Sequence, residues 1–311
     1  MLKRLVNEAR FTLNLTTTGP VLVRSGYATM VGPDMTPVLT FRNGEQQVYF
    51  PGSSLKGVLR SHLEKVSRTL KQGVVCDPFH VDKQADKFCG KKLEGHENVD
   101  SATAYRNSCP ICRLFGSTEF IGRINMNDAY LAEGMLNPRP TEVRDGVGID
   151  RLTGGAAYGA KFDLEAVSAG VTFTTDVYLR NFETWQLGML LAAVQDFEDG
   201  LIRIGSGTSR GLGSVKGSIE SVLINHLGAI AQKPATEVWG LGKLLTENEG
   251  NYGTQADDIL TVEHPPVEAH RGIRRQATFA GDSLIDLRAA AIQTFVTRLQ
   301  AWQAPTEMRM R

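Results

Sequence analysis

The chain has few cysteines and keeps them together. Cys76, Cys89, Cys109 and Cys112 are the only four in 311 residues, and residues 113–311 contain none. Clustered thiols in a chain with no secretory features suggest a metal rather than disulfides. No run of about 18 apolar residues occurs, so no transmembrane helix and no membrane partner are expected. The N-terminal stretch Met1-Leu2-Lys3-Arg4-Leu5-Val6-Asn7-Glu8 lacks the apolar core of a signal peptide, and a cytoplasmic location is the expectation. Net charge is zero, with 34 basic and 34 acidic residues. That argues against coating nucleic acid by bulk charge and leaves room for a local basic groove. No internal repeat and no low-complexity tract is present.

What is present is enough apolar residue, 41%, for a globular core. Residues 10–18 alternate as a half-buried strand, with Phe11, Leu13 and Leu15 against Thr12, Asn14 and Thr16. Leu55, Val58, Leu59, Leu63, Val66 and Leu70 recur at helical spacing over 54–70. Strands are expected at 120–131, 171–180 and 214–224, and a second amphipathic helix at 184–198. The order strand, helix, strand, strand, helix, strand predicts an α+β fold with a ferredoxin-like (RRM-like) βαββαβ core over residues 8–228. Two insertions interrupt it. Residues 73–118 hold the cysteines, and 135–168 read as a loop containing a hairpin. Residues 229–311 read as a C-terminal extension, irregular over 232–282 and helical over 283–302.

The stretch Tyr49-Phe50-Pro51-Gly52-Ser53-Ser54-Leu55-Lys56-Gly57-Val58-Leu59-Arg60 reads as strand end, turn and cationic helix start. Gly52 permits close backbone approach, and Ser53 or Ser54 suits the helix cap. The first N–H groups of such a helix favour a phosphate. Lys56 and Arg60, four apart, share a face. The loop Gly205-Ser206-Gly207-Thr208-Ser209-Arg210-Gly211-Leu212-Gly213 offers four glycines for close approach to a ribose-phosphate chain, with Ser209 and Arg210 to bind it. Cys109-Pro110-Ile111-Cys112 is a two-thiolate knuckle, and Cys76 and Cys89 complete a Cys₄ set. His80 and His96 are competing ligands, so Cys₃His stays open. A site filled by protein ligands predicts structural Zn²⁺, supplying stability that this segment, poor in apolar residues, lacks.

The signature Phe50 to Gly57, the strand Gly122 to Leu131, the stretch Gly148-Ile149-Asp150-Arg151-Leu152-Thr153-Gly154-Gly155-Ala156 and the loop Gly205 to Gly213 occur in the order found in the repeat-associated RAMP superfamily. Together, over roughly residues 8–224, they resemble the backbone subunit of type III CRISPR effector complexes of the Csm and Cmr kind. The resemblance implies binding of CRISPR RNA through Gly52, Ser53, Ser54, Lys56, Arg60, Arg151, Ser209 and Arg210. It implies a thumb-like hairpin starting near Arg151, assembly with neighbouring RAMP subunits, and endonuclease cleavage of complementary target RNA. The cleaving residue of that family is an Asp in the loop after the first strand. Gly32-Pro33-Asp34-Met35-Thr36-Pro37 matches it and makes Asp34 the catalytic candidate, assisted by Mg²⁺ or another divalent cation.

One stretch departs from the pattern. Gly19-Pro20-Val21-Leu22-Val23-Arg24 has no His where relatives often carry one, which leaves Arg24 as a phosphate contact. Two other readings follow. The chain is a non-cleaving crRNA-binding scaffold, or it is a metal-independent processing nuclease needing a general base. The nearest candidate for that base, His62, falls inside the first helix.

Overall fold

The computed structural model describes residues 3–26, 32–42, 44–77, 89–90, 99–228, 232–246 and 249–303. In chain order the elements are β1 (Asn7–Thr17), β2 (Leu39–Arg42), β3 (Glu45–Val48), α1 (Gly52–Leu70), α2 (Ser101–Arg106), α3 (Pro110–Phe115), β4 (Ile124–Met126), β5 (Tyr130–Leu131), β6 (Thr141–Ile149), β7 (Ala156–Val167), β8 (Thr172–Arg180) and α4 (Thr184–Glu198). They continue with β9 (Val215–Ser218), β10 (Ser221–Leu227), β11 (Glu237–Trp239), α5 (Leu241–Leu244), β12 (Ile259–Thr261), β13 (Val267–Arg271), β14 (Arg274–Ala280) and α6 (Asp282–Gln300).

The main sheet runs β13–β14–β10–β1–β8–β4, with β5 also on β8 and β9 also on β1. Every pairing in it is antiparallel. Alternation along β1 sorts its faces: Ala9, Phe11, Leu13 and Leu15 are buried, while Arg10 and Thr12 are exposed. The buried face shares one core with Leu55, Leu59 and Leu63 of α1 and with Leu187, Leu190, Leu191, Val194 and Phe197 of α4. Each such side chain contributes about 1.5–3 kcal/mol. Among the described residues no helix is long and apolar enough to cross a membrane.

Two expected strands are interrupted. Residues 120–131 give β4 and β5, because Ala129 turns its backbone to Phe50 (N–H to carbonyl 2.8 and 2.9 Å in the two directions) on the approach to α1. The final strand is split into β9 and β10, which pair with opposite ends of β1.

The expectation that 232–282 is irregular is corrected. This span holds β11, α5, β12, β13 and β14, and β14 pairs with β10 from Ser221↔Ala280 to Leu227↔Arg274, carrying the sheet past residue 228. Helix α4 is not simply amphipathic either. Met189 and Ala193 are as buried as Leu190, because α6 covers the outer side. Gly188 makes that closeness achievable: a Cβ there would lie 1.8 Å from the Ala291 carbonyl oxygen.

The cysteine-bearing insertion is also better packed than its composition implies. Ile111, Leu114 and Phe115 enter the main core. Tyr105 stacks edge-on with Phe120 and Tyr252, and its hydroxyl donates to Glu183 Oε1 at 2.7 Å, just before α4. Burial and the Glu183 carboxylate push the Tyr105 phenol well above its usual range.

Candidate nucleic-acid interface and cysteine cluster

Helix α1 begins at Gly52 with Pro51 as its cap residue, and no side chain of Ser53 or Ser54 caps it. The capping expectation is therefore corrected. Asp128 supplies the anion instead, its Oδ1 accepting from the Gly52 N–H at 2.8 Å. A carboxylate at a helix N-terminus satisfies an orphan donor and complements the helix dipole. Gly52 is required for packing: a Cβ would lie 2.5 Å from the Met126 carbonyl oxygen and 2.8 Å from that of Asn127. The Gly52 N–H is thus already engaged by a carboxylate of the chain itself.

Two grooves flank α1 and between them take up Arg24, Ser54, Lys56, Arg60 and Ser209, whereas Gly52, Ser53, Arg151 and Arg210 line neither. The first, about 770 Å³, lies between α1 and the glycine-rich loop. Arg24, Ser54 and Ser209 line it, joined by Lys65 and Arg203, which the sequence reading missed. Both missed cations are exposed. Lys65 falls four residues after Ser61 on the same helix face, a spacing that could have flagged it. His62 lines this groove too, with Nε2 2.6 Å from Asp196 Oδ2 of α4, so it ties the two helices together.

The second groove, about 790 Å³, lies between α1 and residues 115–122 and holds Lys56 and Arg60. Neither cation is idle. Lys56 Nζ donates to the Ile124 carbonyl at 3.3 Å. Burial, and secondarily the Arg60 charge, lowers the Lys56 pKa. Arg60 donates to Glu64, to the Gly116 carbonyl at 3.3 Å and to Cys112 Sγ at 3.6 Å. Burial opposes its charge, yet Cys112 and Glu64 hold its pKa above the ordinary value.

The glycine-rich loop is shaped by its own backbone. Gly205 has φ +84°, and a Cβ there would meet the Leu22 carbonyl oxygen at 2.3 Å. This close approach lets the Ser206 N–H donate to Leu22 at 2.8 Å, which sets the loop against the segment carrying Arg24. The single turn Thr208–Arg210 stands out from it, and the Arg210 guanidinium sits 5.9 Å over the Phe162 ring of β7.

Strands β6 and β7 form a separate two-stranded hairpin. Asp150 closes its turn, Oδ1 accepting from the N–H groups of Leu152 and Thr153 at 2.8 Å. Arg151 is therefore at the tip of the hairpin rather than at its start. Val143, Ile149, Leu152 and Tyr158 are exposed along it. Asp34 is exposed in the loop after β1, between the groove wall and this hairpin; nearby Pro37 forms a backbone bridge with Arg24.

The four cysteine sulfurs all lie within 4.8 Å of one another. Cys76 is 3.6 Å from Cys112 and 3.7 Å from Cys109. Four thiolates around one ion at about 2.3 Å stand about 3.8 Å apart, so the set fits a single tetrahedral metal. Backbone N–H groups add support: that of Cys109 donates to Cys89 and that of Cys112 to Cys109. His80 and His96 lie outside the described residues.

A fold with a glycine-rich loop against α1, a projecting hairpin and an antiparallel sheet is thus the setting of the sequence motifs. The family model of the RAMP superfamily matches residues 14–216. The chain belongs to the RAMP superfamily. The match spans β1 to β9 and so includes both grooves, the hairpin and the cysteine cluster. A search of curated proteins gave no match. RAMP membership points to a CRISPR-associated RNA-binding subunit, and the first groove gathers Arg24, Lys65 and Arg203 beside exposed Ser209.

Proposed function

We propose that this RAMP protein is a backbone subunit of a type III CRISPR ribonucleoprotein, binding CRISPR RNA along the groove between α1 and the glycine-rich loop. The carrying observation is that groove: three cations and a row of hydroxyls suit a backbone of variable sequence, which is recognised through phosphates and ribose. In this reading the sheet order β10–β1–β8–β4 with α1 and α4 is a ferredoxin-like palm, β6–β7 is the thumb, and the hairpin edge meets a neighbouring RAMP subunit. The four cysteines hold a structural Zn²⁺, which supplies a fixed tetrahedral tie between the segment before α2 and α3.

Asp34 is the cleaving residue of the proposal. Its exposed carboxylate presents Oδ1 to target RNA, to accept a hydrogen bond from a 2′-hydroxyl or a metal-bound water, while Oδ2 accepts from the Asp163 N–H. A divalent cation bound there would offset the charge that develops on the scissile phosphate. The test is cleavage of labelled complementary RNA by the assembled complex, with Mg²⁺ and with EDTA, for wild type and Asp34→Asn. Metal-dependent cuts lost in Asp34→Asn at unchanged RNA affinity support the nuclease. Cuts indifferent to Asp34, or none at all, leave a guide-binding scaffold.

A further inference from the structure

Asp34 is held by the hairpin and not by the main sheet. Its backbone N–H donates to Asp163 Oδ1 at 2.9 Å, and its own Oδ2 accepts from the Asp163 N–H at 3.1 Å. Met35 and Leu164 follow as a parallel bridge, and the Glu165 N–H donates to the Met35 carbonyl at 2.8 Å. The loop after Gly32 thus runs alongside β7. The support is itself fixed. Buried Glu165 accepts from Arg139 at 2.9 and 2.7 Å and from Thr141 at 2.6 Å. Asp145 stands directly opposite Asp163 on β6 and pairs with Lys161 at 3.5 Å.

We infer that Asp163 is the positioning residue for Asp34, so that the cleaving carboxylate moves with the hairpin. This rests on the reading of Asp34 as the cleaving group. Gly32, at φ +106°, precedes a loop that leaves Asp34 exposed, and a loop carboxylate without ties samples many orientations. The reciprocal pair of hydrogen bonds removes that freedom. It engages Oδ2 and leaves Oδ1 of Asp34 for RNA or a metal-bound water. Catalysis by a placed group depends on placement to within about 1 Å. What Asp163 must provide is an acceptor oxygen, which an amide also provides.

The experiment uses the assembled complex for single-turnover cleavage and RNA affinity, and the full chain alone for amide hydrogen exchange over residues 32–38. Asp163→Ala should slow cleavage about tenfold to hundredfold at unchanged affinity and speed exchange in that loop. Asp163→Asn should recover cleavage and protection relative to Asp163→Ala. Wild-type cleavage in Asp163→Ala would overturn the inference. So would an Asp163→Asn protein that is protected yet as slow as Asp163→Ala, since the charge itself would then be needed. Normal cleavage by Asp34→Asn is a separate outcome: it removes the underlying reading, while exchange still reports whether Asp163 holds the loop.

Discussion

Arg60 of α1 donates through Nη2 to Cys112 Sγ at 3.6 Å and through Nη1 to the Gly116 carbonyl at 3.3 Å. The helix that walls both grooves is thereby joined to the cysteine cluster. A cationic donor beside a tetrathiolate site offsets its excess negative charge and orients the ligand. We predict one Zn²⁺ per chain by native mass spectrometry, lost in Cys112→Ser. Arg60→Ala should weaken metal affinity by about tenfold to hundredfold, read by competition with a chromophoric chelator. Unchanged affinity would make the Arg60 contact incidental.

Gly52 is predicted to be a packing residue. Gly52→Ala should destabilise the protein by about 1–3 kcal/mol in urea unfolding, because the new methyl meets the Met126 and Asn127 carbonyls. Ser53→Ala should change stability by no more than about 0.5 kcal/mol, since Ser53 caps nothing and is exposed. A stable Gly52→Ala that fails to bind RNA would return Gly52 to the RNA site.

The first groove should carry the salt dependence of RNA binding. Lys65→Ala and Arg203→Ala are each expected to lower the slope of log affinity against log salt by about 0.7, the value for one single-strand phosphate contact. Lys56→Ala should lower it less, because Lys56 is half-buried and lines the second groove, whereas Lys65 and Arg203 are exposed in the first. Equal slopes for all three would place RNA across both sides of α1.

His226 makes stability depend on pH. It is buried, the Trp239 N–H donates to its Nε2 at 3.1 Å, and burial lowers its pKa to about 4. A depressed histidine is neutral in the folded chain while the unfolded chain takes a proton below about 6.5. Its contribution is therefore intact above that pH and is lost as pH falls toward 4, by about 3 kcal/mol in full. Asp258 acts oppositely, since burial and then Glu183 raise its pKa to about 6 and favour the protonated folded form. The measurement is thus the difference between wild type and His226→Gln in denaturant at pH 7 and pH 5. Wild type should lose more than the variant, and parallel losses would sink the assignment.

Much of the fold was legible in local pattern. Alternation placed β1 and β8, and helical spacing placed α1 and α4 to within two residues, because those periods report which face is buried. Asp128 was not legible as the cap of α1, since it lies 76 residues away from Gly52 in the chain. Strands β13 and β14 were missed because short strands that complete an existing sheet take their stability from the neighbour, here β10 for β14 and β14 for β13, while β11 and β12 are three-residue strands that pair with each other.

Residue type and order alone carried the family motifs, the cysteine set and the positions of Asp34 and the glycine-rich loop. Each depends on what a side chain can ligate or which backbone angles it allows, and those are local properties. Tertiary structure decided the rest. It sent Lys56 and Arg60 to one groove and Arg24, Ser54 and Ser209 to the other, although Ser54 and Lys56 are two apart. A helix turns about 100° per residue, so close sequence neighbours can face different walls, and only packing selects which wall each one meets.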